Sequence, residues 1–258
     1  MPSRGIPGQM NLTLVAFYKE KPGAFLEFIR WCQNTVASQI PGAFRPYEPG
    51  QIHTTIVGLE GMRRGGEVLN ANYARLGESR SMDLMGLIDY LGNTPLLPLR
   101  VRFGGFRLED EYPFTSLGQH PYHRSFTLQE SNMAVAVGWP EYDGGFSKNL
   151  DRLRRAFNQY NVLHKYHRTA NDVDNDLFFV LGKVEPGMVK NVSPEAVSEA
   201  VRSRIAAIEP VHLDITPEDL SLVAYLDDEL PVETSVKIAL PSARDDIEHI
   251  KALYMAAT

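Results

Sequence analysis

The sequence predicts one α+β domain over residues 1–258, in which two pseudo-symmetric lobes of antiparallel sheet carry outer helices and enclose a central cleft. The main observation is that the order strand, long helix, strand occurs twice along the chain, as two similar lobes require. A length of 258 residues is enough for one large domain, and 43% hydrophobic and 22% charged residues are ordinary for a globular protein. The lobes are expected at roughly residues 10–95 and 98–258.

The first copy of this order begins with β-branched and apolar residues at 10–17, which predict a strand. Residues 24–40 carry apolar side chains at helical spacing, and Pro41 and Gly42 end that helix. A strand is predicted at 51–59, after a loop rich in turn-forming residues. These elements form the first strand, helix, strand unit.

The second copy consists of a strand at 133–138, an amphipathic helix at 147–163 and a buried strand at 176–184. Alternation of apolar and polar residues predicts a further strand at 99–106. The other predicted elements are helices at 83–91, 193–208 and 245–255, a strand at 124–129 that forms a hairpin with 133–138, and strands at 220–225 and 235–240.

Charge and cysteine content limit the possible partners and the compartment. The net charge of −6 at pH 7 argues against a protein that coats duplex DNA, although a local basic cleft can still hold a small phosphorylated ligand. Cys32 is the single cysteine, so no intramolecular disulfide forms and a reducing compartment is expected. The N-terminus lacks an apolar targeting segment, and no apolar run approaches the ~20 residues of a membrane span. We therefore expect a cytoplasmic protein without membrane attachment.

The sharpest local pattern is His53-Thr54-Thr55-Ile56 on the strand predicted at 51–59. Residues two apart on a strand point to the same face, so His53 and Thr55 are expected side by side. An imidazole can give or take a proton near neutrality, and a threonine hydroxyl can donate a hydrogen bond to a phosphate oxygen. This pair is therefore a candidate half-site for a phosphate group.

Residues 51–59, with the glycine that closes the strand, resemble the first motif of the 2H phosphoesterase (LigT-like, 2'-5' RNA ligase-like) superfamily. The resemblance implies one such motif in each lobe, with two histidines flanking a phosphodiester such as a 2',3'-cyclic phosphate. One histidine acts as a base and the other protonates the leaving oxygen, without metal or cofactor. It also implies that His53 is the acid/base, that Thr55 holds the phosphate, and that the partner is a nucleotide or an RNA end.

The second motif of that resemblance is degraded. On the strand 176–184, Phe178 stands where the second histidine is expected and Val180 where the second threonine or serine is expected, whereas Lys183 matches a basic position that contacts phosphate in relatives. Loss of one positioned acid or base lowers a rate by about 10²–10⁴-fold. Two interpretations stay open: a phosphodiesterase acting on an RNA or nucleotide phosphodiester, or a catalytically impaired binding module in which Phe178 contacts the ligand.

Other histidines in the chain are candidates for a relocated second half-site. His123 and Ser125 fit the same spacing and are expected to share a face where a hairpin strand opens, while His212 is expected on an exposed face. Two His-x-x-His pairs, His120 with His123 and His164 with His167, raise a metal-hydrolase alternative, but no cysteine or suitable carboxylate spacing accompanies them, so no metal site is predicted. Further basic and aromatic candidates for ligand contacts are Arg45, Arg100, Arg102, Arg124, Tyr47, Tyr122 and Tyr166.

Overall fold

The computed structural model describes residues 10–64, 67–129, 132–185 and 193–255. The strands are β1 (Asn11–Ala16), β2 (Phe44–Pro46), β3 (Thr54–Gly58), β4 (Gly61–Arg64), β5 (Glu67–Asn70), β6 (Leu99–Phe103), β7 (Phe126–Leu128), β8 (Met133–Tyr142), β9 (Gly145–Phe146), β10 (Leu177–Val184), β11 (Val211–Ile215), β12 (Leu220–Tyr225) and β13 (Val236–Ala239). The helices are α1 (Gly23–Gln39), α2 (Ala71–Arg75), α3 (Leu84–Asn93), α4 (Pro121–Arg124), α5 (Asn149–Ala156), α6 (Pro194–Ala207), α7 (Leu240–Ala243) and α8 (Ile247–Met255). Within these ranges, every helix is too short or too polar to span a bilayer.

Two antiparallel sheets organise the chain, so the predicted α+β class is confirmed. The first sheet has the order β13-β12-β1-β3, and the second has the order β11-β6-β8-β10-β2, with β7 and β9 also paired to β8. A separate pair is formed by β4 and β5. Because β3 ends the order of the first sheet, the segment that carries the histidine motif lies at a sheet edge.

The predicted repetition of strand, helix, strand is visible in the pairing. β1 and β3 flank α1 in the chain and pair antiparallel in the first sheet, and β8 and β10 flank α5 and pair antiparallel in the second. The sheets do not follow the expected lobe limits, however. β12 and β13 come late in the chain but pair in the first sheet, and β2 comes early but pairs with β10 in the second.

The main core fills one face of each sheet. In β1 the side chains of Leu12 and Leu14 belong to it, and in β10 those of Phe179 and Leu181. The helix α1 forms because its apolar residues recur at helical spacing, and its Phe25 ring packs against Phe179 at 5.1 Å between ring centroids. Burying apolar side chains of this kind contributes about 1.5–3 kcal/mol each.

The opposite face of each sheet carries a smaller apolar cluster. In the first sheet, Val15 lies opposite Thr55 and packs with Val223, and we call this side the Thr55 face. In the second sheet, Phe178 lies opposite Val137, and we call this side the Phe178 face. The candidate half-site and its degraded counterpart therefore both lie on the sides that face away from the main core.

Two local predictions are corrected by backbone geometry. The predicted helix at 147–163 is α5 followed by a 3₁₀ turn at Phe157–Tyr160, and it stops because Asn161 adopts a left-handed conformation with φ of 57°. The hairpin strand predicted at 124–129 forms as β7 and pairs with β8, but it begins later than expected. Residues 121–124, including His123, form the short helix α4, since Pro121 occupies the first helical position and the His120 ring accepts a hydrogen bond from the Tyr122 backbone N–H. Residues 130–131, in the turn of the predicted hairpin, and residues 1–9, at the N-terminus, lie outside the described ranges.

A single buried arginine connects the two sheets. Arg154 on α5 is 1% exposed, and its guanidinium donates to the carbonyl oxygens of Ile56 (2.9 Å) and Thr55 (3.1 Å) on β3. The same group donates to the carbonyl oxygens of Asp174 and Asp176, both at 3.1 Å, just before β10, and pairs with the Asp174 carboxylate at 3.2 Å. Because a guanidinium offers five donors in a fixed plane, one side chain satisfies acceptors from both strands.

We expect Arg154→Met to lower the free energy of unfolding by about 3–5 kcal/mol, because it leaves several buried carbonyls without their donor and removes the charge that pairs with the Asp174 carboxylate. Urea unfolding followed by circular dichroism measures the change. Arg152→Met is the matched control: Arg152 lies on the same helix but is exposed, and its described side-chain contact is a weak one to Asn149 at 3.4 Å. Equal stability of the two variants would contradict the role given to Arg154.

Candidate functional site

His53 lies directly before β3 and not within it. Along this segment burial alternates, with Thr54 and Ile56 fully buried and His53 and Thr55 half-buried. The alternation extends through residue 53, so the imidazole and the Thr55 hydroxyl lie on the same side of the segment. The pair is thus arranged on one face at the edge of the first sheet.

A backbone carbonyl fixes the tautomer of His53. Nδ1 lies 2.7 Å from the carbonyl oxygen of Gln51. A carbonyl can only accept, so Nδ1 carries the hydrogen and Nε2 has the lone pair. Among the described residues no hydrogen-bond partner is found for Nε2. This nitrogen is therefore the one available to take a proton from a ligand or a water molecule.

Burial keeps the His53 ring neutral. Desolvation lowers its pKa to about 4; the Gln51 carbonyl opposes this shift and the Lys21 ammonium adds to it. At neutral pH the ring is therefore the unprotonated form, which is the form that a general base requires.

Two neighbours of His53 come from the turn that follows β1. The Tyr18 ring packs edge-on against the His53 ring, with 5.9 Å between centroids, and its hydroxyl donates to the carbonyl oxygen of Leu230 at 3.0 Å. Lys21 donates from Nζ to the carbonyl oxygen of Phe17 at 2.8 Å. Its pKa falls to about 8, mainly through desolvation, with Glu20 opposing the shift. Neither residue belongs to a motif that the sequence alone makes visible.

This turn is held in an uncommon backbone conformation. Phe17 and Lys19 have φ of 62° and 69°, a region that non-glycine residues rarely adopt. The backbone N–H of Lys19 donates to the carbonyl oxygen of Gly50 at 2.9 Å, which fastens the turn to the loop before His53. Phenylalanine and lysine do not favour a left-handed conformation, so the sequence alone does not predict this turn.

The two threonines of the motif differ in their surroundings. The Thr55 side chain is half-buried and its carbonyl oxygen is held by Arg154, so the residue is fixed with its hydroxyl on the His53 side. The Thr54 hydroxyl is buried on the core side, and no hydrogen-bond partner for it is found among the described residues. Of the two hydroxyls, Thr55 is therefore the one that a ligand can reach.

On the second sheet, Phe178 and Val180 form part of an apolar wall. Both pack with Val135, Val137 and Trp139 on the Phe178 face. The Trp139 indole donates to the Asp176 carboxylate at 2.7 Å, which fixes the wall next to the start of β10. The position expected for a second imidazole thus presents aromatic and aliphatic surface, and the described ring beside His53 is Tyr18.

Lys183, predicted to contact phosphate, is paired with a carboxylate. Its ammonium forms an ion pair with Glu229 in the turn after β12, and Arg45 approaches the other carboxylate oxygen at 3.8 Å. Burial raises the pKa of Glu229, but the hydrogen bond from Lys183, the nearby Tyr47 hydroxyl and the charges of Lys183 and Arg45 outweigh it, so that pKa lies below its usual range. The Glu229 carboxylate is therefore ionised at neutral pH and neutralises Lys183.

A close approach of two strands makes this pairing possible. Gly182 lies where a Cβ atom would come within 2.3 Å of the Arg45 carbonyl oxygen on β2. Only a glycine therefore allows β2 to pair here, and that pairing places Arg45 opposite Lys183. The Gln51 side chain also donates to the Glu229 carbonyl oxygen at 2.7 Å, which connects this cluster to the loop before His53.

The expected replacement half-site at His123 and Ser125 is not formed on a strand. Ser125 is 1% exposed and its hydroxyl donates to the Tyr122 carbonyl oxygen at 2.8 Å. His123 lies in α4, where its ring packs against that of Tyr122 at 5.3 Å between centroids. The geometric reason for pairing the two residues, a shared strand face, is therefore absent.

The other basic and aromatic candidates have partners within the chain. Arg102 pairs with Glu141 at 3.4 Å, and the His212 ring lies 2.8 Å from the same carboxylate. The remaining described contacts are Arg100 with Asp214, Arg124 with Asp176, Tyr122 with Glu199, and Tyr166 with the His164 ring and the Lys165 ammonium.

The histidine pair after α5 belongs to a buried polar cluster. His164 Nε2 lies 2.6 Å from the Asp174 carboxylate, and His167 Nε2 lies 2.9 Å from that of Asp151. Both residues are 4% exposed, and their Nδ1 atoms have no described partner. Over the described residues no group of three or more His, Cys, Asp or Glu side chains converges in a way that holds a metal ion.

Fold and site together define a mixed α+β protein of two antiparallel sheets with a histidine–threonine pair at the edge of the first. No protein-family model matches the sequence, and no curated protein matches it. Among solved structures, the chain is similar to the protein TT0787 of Thermus thermophilus, with 16% identity over 89% of this chain and 94% of that one and a TM-score of 0.39. It is also similar to E. coli LigT complexed with 3'-AMP, with 11% identity over 89% and 93% of the two chains and a TM-score of 0.35.

The buried histidine cluster predicts acid sensitivity. Desolvation, aided by the Arg154 charge, lowers the pKa of His164 to about 4, although its contacts with Asp174 oppose this. Above pH 6.5 the ring is neutral in the folded and the unfolded chain. As the pH falls from 6.5 to 4, the unfolded chain takes up a proton that the folded chain does not, so the free energy of unfolding decreases by roughly 2–3 kcal/mol.

His164→Gln is expected to reduce this pH dependence, because the glutamine amide can still donate to Asp174 but does not titrate. Unfolding free energies measured between pH 4 and 7 report the slope. His249→Gln is the control, since His249 is exposed on α8. If the slope of the His164 variant matches that of the unaltered protein, the assignment is wrong.

Proposed function

We propose that the protein binds a nucleotide or RNA end at His53 and Thr55 and hydrolyses a phosphodiester there, most simply a 2',3'-cyclic phosphate, without a metal. The observation that carries the proposal is the state of His53: its Nδ1–H donates to the Gln51 carbonyl, its Nε2 has no hydrogen-bond partner among the described residues, and residues 53 and 55 are both half-buried in an alternating segment. A general base and a hydroxyl that donates a hydrogen bond to phosphate, two residues apart, are the smallest set of groups that can activate water beside a phosphoryl group.

The reaction follows from the state of these groups. His53 Nε2 takes a proton from a water molecule as the water oxygen bonds to phosphorus. One ring P–O bond breaks, which leaves a nucleoside monophosphate. The position of a second histidine is occupied by Phe178, so the leaving oxygen takes its proton from solvent. Lack of a positioned acid reduces the rate by about 10²–10⁴-fold relative to a site with both groups. We therefore expect slow turnover.

The activity test uses 2',3'-cyclic AMP with the purified protein in the presence of a chelator, followed by chromatography of the products. We expect His53→Ala to reduce turnover by at least about 100-fold, because it removes the base. His249→Ala removes an exposed imidazole elsewhere and is expected to leave turnover unchanged. Turnover that persists at full rate in His53→Ala would refute the role of this histidine.

The adjacent threonines supply a matched pair of variants. Thr55→Val is expected to weaken ligand binding about 3–10-fold, since it removes one hydrogen-bond donor to phosphate without changing volume. Thr54→Val is expected to leave binding unchanged and to raise the free energy of unfolding by about 1 kcal/mol, because its buried hydroxyl lacks a described partner. Calorimetric titration and thermal unfolding measure the two effects, and an equal loss of binding in both variants would contradict the assignment.

A second candidate function is nucleotide or RNA binding without catalysis. The apolar wall at Phe178 and Val180 favours it, because this wall offers stacking surface where proton transfer is expected. The same turnover assay separates the two. Saturable binding of 2',3'-cyclic AMP with no product favours the binding module, and multiple turnover excludes it.

A further inference from the structure

Lys183, which the family resemblance predicted to contact phosphate, is already paired with the Glu229 carboxylate. Glu229 pairs with it and with Arg45, and its backbone is held by Gln51. A phosphate at that position must displace an ionised carboxylate from both cations. The half-site therefore needs its positive charge from elsewhere, because a phosphodiester is an anion.

Lys21 is the cation that the fold places beside His53. Its ammonium donates to the carbonyl oxygen of Phe17, and the turn between them carries Tyr18, whose ring packs on that of His53. The Lys21 charge also acts electrostatically on the imidazole. Lys21 and His53 thus belong to one small cluster at the end of β1 and the start of β3.

Among the described residues, Lys21 is hydrogen-bonded to backbone carbonyls and forms no ion pair with a carboxylate. Its described partners are the carbonyl oxygens of Phe17 at 2.8 Å and, more weakly, Lys19 at 3.4 Å. The acidic residue closest in sequence, Glu20, is paired with Lys237 on β13. Carbonyl groups orient an ammonium without neutralising it, so its charge stays available to an anion.

Backbone strain supports a functional reason for this arrangement. Left-handed conformations at Phe17 and Lys19 cost on the order of 1–3 kcal/mol each and cluster at ligand-binding sites. The strained turn is what directs the Phe17 carbonyl to Lys21 and holds Tyr18 against His53.

We propose that Lys21 is the phosphate-binding cation of this site, so that His53, Thr55 and Lys21 together contact the phosphoryl group. This inference rests on the proposed function for the location of the phosphate. It replaces the expected role of Lys183, whose charge is used to hold the Glu229 turn against β10. The ligand class is an anion carrying a phosphate mono- or diester.

The charge state of Lys21 gives the proposal a pH signature. The charged groups that act on Lys21 are Glu20, which favours the ammonium, and Lys237, which disfavours it, while His53 is neutral at neutral pH. With a pKa of about 8, Lys21 loses its charge as the pH rises from 7 to 9. Affinity for a phosphate ligand should fall over that interval.

The test measures binding of adenosine 2'-monophosphate, a hydrolysis product that cannot turn over and whose phosphate is a dianion above pH 7. We expect Lys21→Met to weaken binding at least about tenfold and to abolish the loss of affinity between pH 7 and 9, and Lys21→Arg to retain binding. Lys19→Met is the matched control, since it removes an equal charge from an exposed side chain in the same turn. Lys183→Met should weaken binding less than Lys21→Met. Thermal unfolding verifies that each variant is folded.

The outcomes separate this inference from the proposed function. Binding that depends on Lys21 without turnover of 2',3'-cyclic AMP supports the cation assignment and refutes the hydrolase. Turnover that depends on His53 with binding indifferent to Lys21 refutes the cation assignment alone. A larger loss in Lys183→Met than in Lys21→Met, an equal loss in Lys19→Met, or no binding by the unaltered protein also overturns it.

Discussion

The buried guanidinium of Arg154 is the interaction on which the arrangement of the two sheets depends. β3 ends the first sheet and comes close to β10, yet the two strands do not pair. Without Arg154, the carbonyls of Thr55 and Ile56 on β3 and of Asp174 and Asp176 just before β10 would lack its donors in a buried environment, which costs free energy. Arg154 supplies these donors from a helix, and Asp174 supplies the opposite charge. The position of β3, and with it that of His53, follows from this bridge.

The candidate site is asymmetric because the two strand, helix, strand units carry different side chains at corresponding positions. One strand pair presents an imidazole and a hydroxyl, and the equivalent pair presents Phe178 and Val180. Those side chains pack with Trp139, so the surface at these positions is apolar. The two lysines differ in the same way, since Lys183 is paired with Glu229, whereas the described hydrogen-bond partners of Lys21 are carbonyl oxygens. The edge of the first sheet thus carries polar groups, whereas the Phe178 face is apolar.

Much of this fold could be predicted from periodicity, and the exceptions have identifiable causes. Helix α1 carries apolar residues at helical spacing and strands β10 and β12 are almost continuously apolar, and the predicted limits of all three lie close to those observed. Helix α4, which contains His123, was not predicted. Pro121 favours the start of a helix there, but the spacing of His123 and Ser125 also fits a short strand. The pairing of β12 with β1 could not be deduced, since strand order depends on long-range contacts. In the candidate site, the spacing of His53 and Thr55 was visible in the sequence. Lys21 is placed near His53 by a left-handed turn, and Glu229 reaches Lys183 from a loop distant in sequence, so neither could be predicted.

The pairing of β1 with β12 also affects how the protein is made. β1 can pair with β3 soon after both are synthesised, but β12 and β13 complete the sheet only after all strands of the second sheet have been synthesised. Contacts between such distant segments form slowly, because a long loop must close before they stabilise anything. Until β12 is synthesised, the edge of β1 that pairs with it lacks a partner strand. A chaperone or a neighbouring chain can bind this apolar edge during translation.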